Sequence, residues 1–208
     1  MEIMRYCVVL ILDLLFFDAL WAQDFSNVIK TDQSPRGDIE VVYNGNGYRF
    51  GMDVWLVDRK DTTQMFRLDS AITLGTQYFF SPNEGWIAAN VEIVSNARTI
   101  LLYKRVQGIR YSRVDDGDIY RKADSSFATS ERFDRAPVFG HSAVTFVRWM
   151  PESKSFLLRL EGWDDDGIAV NNWTCFFNVE TLSVSADEKN EGKVILEGRP
   201  IIPRRKKR

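Results

Sequence analysis

The stretch EGWDDDGIAVNNWT, residues 161–174, gathers the side chains with the most chemistry in them. Trp163 and Trp173 flank three consecutive carboxylates, Asp164, Asp165 and Asp166, and two amides, Asn171 and Asn172. An indole face covers the apolar surface of a sugar or peptide while carboxylates and amides fix its orientation. Trp163, Asp164, Asp165, Asp166, Asn171 and Asn172 are therefore the candidate ligand-binding residues. In a competing reading Trp173 packs inward with Cys175 and Phe177, because alternation along a strand puts the three on one face. Asn172-Trp173-Thr174 is also an N-glycosylation sequon.

A second acidic group, Asp115, Asp116 and Asp118, lies in VDDGD. Clustered carboxylates are hard oxygen ligands of the kind calcium takes. Neither group has the alternate spacing that lets successive side chains converge on one ion, so solvated turns are the expectation and calcium the alternative; no other cofactor is implied. A hydrolase would need two of Asp116, Asp118, Asp164 and Asp166 to converge in a pocket. The single histidine, His141, excludes two-histidine mechanisms, and neither a nucleophile elbow nor a phosphate-cradling loop occurs. No catalytic residue and no metal ligand is assigned.

These residues must be carried by elements, and the elements repeat. FFSPNEGWIAANVEI (79–93) aligns with RWMPESKSFLLRLEG (148–162): Phe80 with Trp149, Pro82 with Pro151, and Asn83-Glu84-Gly85 with Glu152-Ser153-Lys154. Ile87, Ala89 and Val91 then fall on Phe156, Leu158 and Leu160. Proline sets φ at the first turn position, polar residues tolerate the bend, and period-2 alternation buries one face of the next strand. Trp55–Arg59, Leu101–Arg105 and Phe176–Glu180 all read as the third strand of a four-stranded meander.

These hairpins resemble the TolB-like repeats of β-propellers, whose units carry an aromatic-Ser-Pro-Asp-Gly-Lys turn. The resemblance spans residues 38–185 and implies an all-β fold, but no site. The two prolines are 69 residues apart, where a propeller unit occupies about 40–45. The chain holds two to three units, too few for a closed ring. The expected fold is all-β: antiparallel meanders, propeller-blade-like or sandwich, not a complete closed propeller.

The excess length falls in residues 109–142, polar and mixed in charge, read as a long insertion loop with one short helix near Ser125–Phe133. Arg36-Gly37-Asp38 in QSPRGDIE reads as an adhesive tripeptide or a plain turn, and the turn is expected. Cys175 sits in an apolar run and reads as a buried small hydrophobe.

Residues 1–22 read as a signal peptide: Arg5 precedes an apolar run from Tyr6 to Leu20, and Ala22 suits cleavage before Gln23. The run is too short, and with Asp13 and Asp18 too charged, for a bilayer span, so no transmembrane segment is expected after its removal. Removal would leave 26 acidic and 26 basic residues, five of the latter in the tail Arg204–Arg208. The body of the chain is thus mildly acidic, which argues against nucleic acid as a partner. Residues 23–198 are expected to form a single β domain, and 199–208 a basic tail. The reading is an exported (secreted or periplasmic) non-catalytic module that binds a protein or glycan. The alternatives are the hydrolase and a partial propeller completed by homo-oligomer formation. Mass spectrometry of the protein expressed with its own N terminus in an exporting host should find a chain beginning at Gln23 in the exported fraction. An intact Met1 in the cytoplasm would return residues 6–20 to the folded core.

Overall fold

A computed structural model of the chain describes residues 27–45, 50–73, 75–94, 97–115, 118–130, 141–163, 168–187 and 193–196. The proposed leader, the basic tail, Asp116 and Asp164–Asp166 lie outside them. The described residues form three antiparallel meanders. The first is β1 (Val28–Gln33), β2 (Ile39–Asn44), β3 (Phe50–Asp58) and β4 (Met65–Thr73), paired in that order. The second is β5 (Gln77–Phe80), β6 (Trp86–Val94), β7 (Ala97–Gln107) and β8 (Arg110–Asp115). A helix, α1 (Asp118–Ser130), intervenes before the third: β9 (His141–Trp149), β10 (Ser155–Trp163), β11 (Ile168–Asn178) and β12 (Ser183–Ala186). Beyond β12, β13 (Lys193–Leu196) pairs with the start of β11. A short parallel contact of Ala97 and Arg98 with Ser142 and Ala143 joins the second and third meanders into one sheet. The described residues make an all-β fold with one short helix, antiparallel and open, as the repeats imply, and the three expected third strands are β3, β7 and β11.

Alternation builds the cores. In the second meander Ile87, Ala89, Leu101 and Tyr103 face the first, against Ile39, Val41, Tyr43, Met52, Val54 and Leu56. Its other face presents Ala88, Ile100 and Leu102 to Phe156, Leu158, Leu160, Trp173, Cys175 and Phe177 of the third. A strand buried on both faces needs apolar residues at every position, and WIAA in β6 supplies them.

The insertion departs from expectation. Of residues 109–142, the described part is not loop: β8 completes the second meander, and α1 starts seven residues earlier than the helix expected near Ser125–Phe133. Ile109 and Tyr111 are buried where only an edge strand's inner face had to be. Ile119, Ala123 and Phe127 recur every four residues and are fully buried, a stripe that the surrounding charge hides in the sequence. Asp118 sits in the first turn, where it complements the helix dipole.

The hairpin turn occurs three times. In the second meander Ser81 N–H donates to Trp86 O and Glu84 N–H to Ser81 O, at 2.9 and 2.8 Å. Met150 and Ser153 repeat the pattern in the third, and Ser34 and Gly37 in the first, at 2.9 Å throughout. The fourth turn residue is left-handed in each, with φ of 73° at Gly37, 56° at Glu84 and 58° at Ser153. Arg36-Gly37-Asp38 is thus the middle of the first repeat's turn. Pro35 precedes Pro82 by 47 residues, close to the propeller period of about 40–45. The longer second interval is the one that contains α1.

These turns are bonded to one another. Arg36 N–H donates to Glu84 Oε1 at 3.0 Å, and Asn83 N–H to Ser153 Oγ at 3.1 Å. In both cases the left-handed residue of one turn reaches back to the third residue of the turn before. Glu84 is 1% exposed and also faces Arg105, whose Nη1 lies 3.6 Å from Oε2. Its carbonyl accepts the Tyr111 hydroxyl at 2.6 Å. Truncating one partner of a buried charge pair strands the other. Glu84→Ala should therefore lose about 2 kcal/mol in urea unfolding, and Glu84→Gln, which keeps an acceptor, about half of that. An alanine variant as stable as wild type would show that the turns are not coupled.

Candidate functional site

A recess lies between α1 and β12, a groove of about 760 Å³, within the range of about 300–1,000 Å³ common for ligand sites. α1 gives it Asp118, Arg121, Lys122, Ser125, Ser126 and Thr129; the β12 side gives Leu182, Ser183, Val184 and Ala186. The helix faces the groove with these residues because Ile119, Ala123 and Phe127 anchor its other side, Phe127 edge-on to Trp173 at 5.4 Å. One wall is therefore hydroxyls and charges, and the floor, Leu182 and Val184, rests on the core.

Leu182 is held at φ 52°, a left-handed conformation that a leucine adopts only under constraint. The constraint is visible. Asn178 Oδ1 accepts from Glu180 N–H and Thr181 N–H, each at 2.9 Å, and the Thr181 and Ser183 hydroxyls bond at 2.7 Å. This tight turn sets the lip of the groove. On the opposite lip Lys122 pairs with Asp118 at 2.9 Å and lies 6.0 Å from the centre of the Phe177 ring. Arg121 is exposed and makes no ion pair among the described residues. The groove's surplus charge is therefore positive.

The residues singled out in 161–174 fall elsewhere. Trp163 closes β10, its backbone paired with His141 and Ala169. Asn171 and Asn172 are exposed on β11, where two residues oppose one at a bulge after Leu160. Asn172 has φ 56°, which Asn tolerates better than most residues, and Arg159 Nη1 reaches its Oδ1 at 3.4 Å. Trp173 and Cys175 are buried, as the inward reading holds, and burial pushes the Cys175 thiol well above its usual range. Of the hydrolase carboxylates only Asp118 is described, and it is tied to Lys122. Among the described residues no three His, Cys, Asp or Glu side chains meet where a metal could sit.

One further cluster carries titratable groups. Asp69 Oδ2 accepts the hydroxyls of Tyr103 at 2.6 Å and Tyr78 at 3.3 Å, and Asp32 Oδ2 accepts that of Tyr43 at 3.1 Å. The three tyrosines are at most 7% exposed, so the cluster joins the first two meanders and offers nothing to a ligand. Burial first, with the nearby aspartates and, for Tyr78, the neighbouring Tyr103 adding to it, pushes all three phenols far up, and burial takes Tyr111 to about 12. Their folded pKa values exceed the unfolded value of about 10. This stabilisation is complete below about pH 10 and is lost as pH rises through 10 towards and beyond 12. Phenolate absorbance of the full 208-residue chain should therefore show four of its seven tyrosines ionising only as the fold is lost. Seven tyrosines titrating near pH 10 with the fold intact would contradict this packing.

Comparison with known proteins adds little. No family model matches the chain, and no curated protein matches it. A solved structure, TolB from Acinetobacter baumannii, aligns over 76% of this chain and 31% of its own, with 14% identity and a TM-score of 0.41. The chain thus spans about a third of that protein's length. The fold assignment rests on the three meanders seen directly in the strand pairing.

Proposed function

We propose that the chain is an exported, non-catalytic binding module, and that its partner is a protein segment lying in the groove between α1 and β12. The groove itself carries this reading. It is long, since thirteen helical residues extend about 20 Å, and it is open along its length. Its wall offers hydroxyls for main-chain hydrogen bonds, Arg121 offers a charge, and Leu182 and Val184 supply an apolar floor. An extended acidic peptide with an apolar residue facing inward satisfies all three. The helix of the 109–142 insertion forms one wall. Among the described residues no helix is long and apolar enough to cross a membrane.

Glycan binding is the second reading, favoured by the exposed amides Asn171 and Asn172 beside Arg159. A displayed library of acidic peptides, selected against the full chain and run beside a glycan array, separates the two. Selected peptides should lose at least tenfold in affinity on Arg121→Glu and on Ser126→Trp, which fills the groove, and keep it on Asn171→Ala. Peptide binding indifferent to both groove variants would remove the groove from the function. Glycan hits lost with Asn171→Ala would move the site to β11.

A further inference from the structure

The two ends of the meander stack are not alike. Counting from the first turn residue, Ser34, Ser81 or Met150, the even offsets on the following strand face the preceding meander and the odd ones face the next. Even positions hold Ile87 and Ala89 in the second meander, Phe156, Leu158 and Leu160 in the third, all fully buried. In the first meander the same offsets bring Glu40, Val42 and Asn44. A carboxylate thus stands where Ile87 and Phe156 fill a core. Val42 and Val57, on that face, are already 6% and 8% exposed. The first turn also has Gly37 where Glu84 and Ser153 reach back to the turn before, so it has no side chain to offer a preceding unit. The first meander is therefore an end, closed to further stacking.

On the outer face of the third meander the described apolar side chains of β10 and β11 are only partly covered. Leu157 and Phe176 are direct cross-strand partners on β10 and β11, half-buried, and part of neither core. Val147 on the bulge of β9 beside them is 44% exposed. The equivalent positions in the second meander, Ala88 and Leu102, are fully covered by the third. Beside this apolar row stand Arg159 and Glu161, both partly exposed and paired with each other at 3.3 Å. Such an exposed pair holds its partners weakly and can re-pair at little cost. A face with both signs two residues apart on one strand is complementary to itself, Arg159 of one copy meeting Glu161 of the other across a two-fold axis.

We propose that a second copy of this chain covers this face, giving a two-fold dimer through β9, β10 and β11 of both protomers. Head-to-tail stacking, third meander onto first, is refused by Glu40 and Gly37, whereas a two-fold arrangement uses one face twice and closes at two copies. The α1–β12 groove is built on the core side of the third meander, so the dimer leaves two grooves free and engages a repeated partner with avidity.

Sedimentation equilibrium of the full chain tests this. The wild-type protein should be dimeric at about 100 μM. Leu157→Glu should weaken the dimer at least thirtyfold, and so should Arg159→Glu, which sets like charges against each other, both variants being checked for an unchanged fold by circular dichroism. The double exchange Arg159→Glu with Glu161→Arg should restore it to within a few fold, and Glu40→Lys should leave it unchanged. A monomeric wild type overturns the proposal. So does an assembly that survives Leu157→Glu and Arg159→Glu, or one that dissociates with Glu40→Lys.

Discussion

A β meander twists, and its faces need a neighbour held at a defined distance and angle. Here that relation is set at the turns, where the left-handed residue of each unit bonds the backbone of the unit before it. Glu84 does this with a carboxylate and Ser153 with a hydroxyl. The left-handed φ is what makes the reach possible, since it swings the side chain out of the hairpin and across to its neighbour. A non-glycine residue there costs conformational energy, and the hydrogen bond to the adjacent turn offsets it. Behind the turn a second repeated bond fastens the third strand. Asp38 O accepts from Arg59 N–H, Gly85 O from Arg105 N–H and Lys154 O from Val179 N–H, each at 2.9 Å.

The packing follows from that registration. With the turns in line, β6 presents one face to each neighbour, so Ile87 and Ala88, adjacent in sequence, belong to different cores. Between the first two meanders the contact includes tyrosine hydroxyls held by Asp69 and Asp32. Between the last two it is mostly apolar and aromatic, with Phe79 stacked on Phe146 at 4.6 Å, and is fastened by Trp149 donating to Phe79 O at 2.9 Å and Phe146 N–H donating to Asn90 Oδ1 at 2.7 Å. The helix belongs to the second of these cores and replaces contacts that strands alone would not supply there.

The parts of this arrangement visible in the sequence are those written as period-2 alternation beside a proline turn. Phe80, Pro82 and Ile87 against Trp149, Pro151 and Phe156 were enough to align two units and to place β3, β7 and β11 as third strands. The first unit escaped because its turn is spelled Arg-Gly-Asp. Its Ser34-Pro35 matches Ser81-Pro82, but the Arg-Gly-Asp that follows has an adhesive meaning of its own and lacks the side chain that Glu84 and Ser153 carry. The first half of the helix was obscured because its buried stripe is narrow, three residues among charges, and such a stripe is a weaker signal than a strand with five apolar residues in line. Nothing local to α1 or β12 announces the groove. Ser125, Ser126 and Ser183 are ordinary surface residues until the fold sets them on facing walls. In the acidic stretch, alternation correctly put Trp173 beside Cys175 and Phe177, inward.

Repetition also bears on where recognition can arise. Three units with the same turn, the same third-strand bond and the same alternation present similar edges, and similar edges do not discriminate among partners. Distinct surfaces must come from places where the repeat is broken. The chain breaks it after β8, where α1 enters, and at the β11–β12 turn, where Leu182 is forced into a left-handed conformation. These two departures lie side by side in space although more than fifty residues separate them in sequence, and the groove is the space between them.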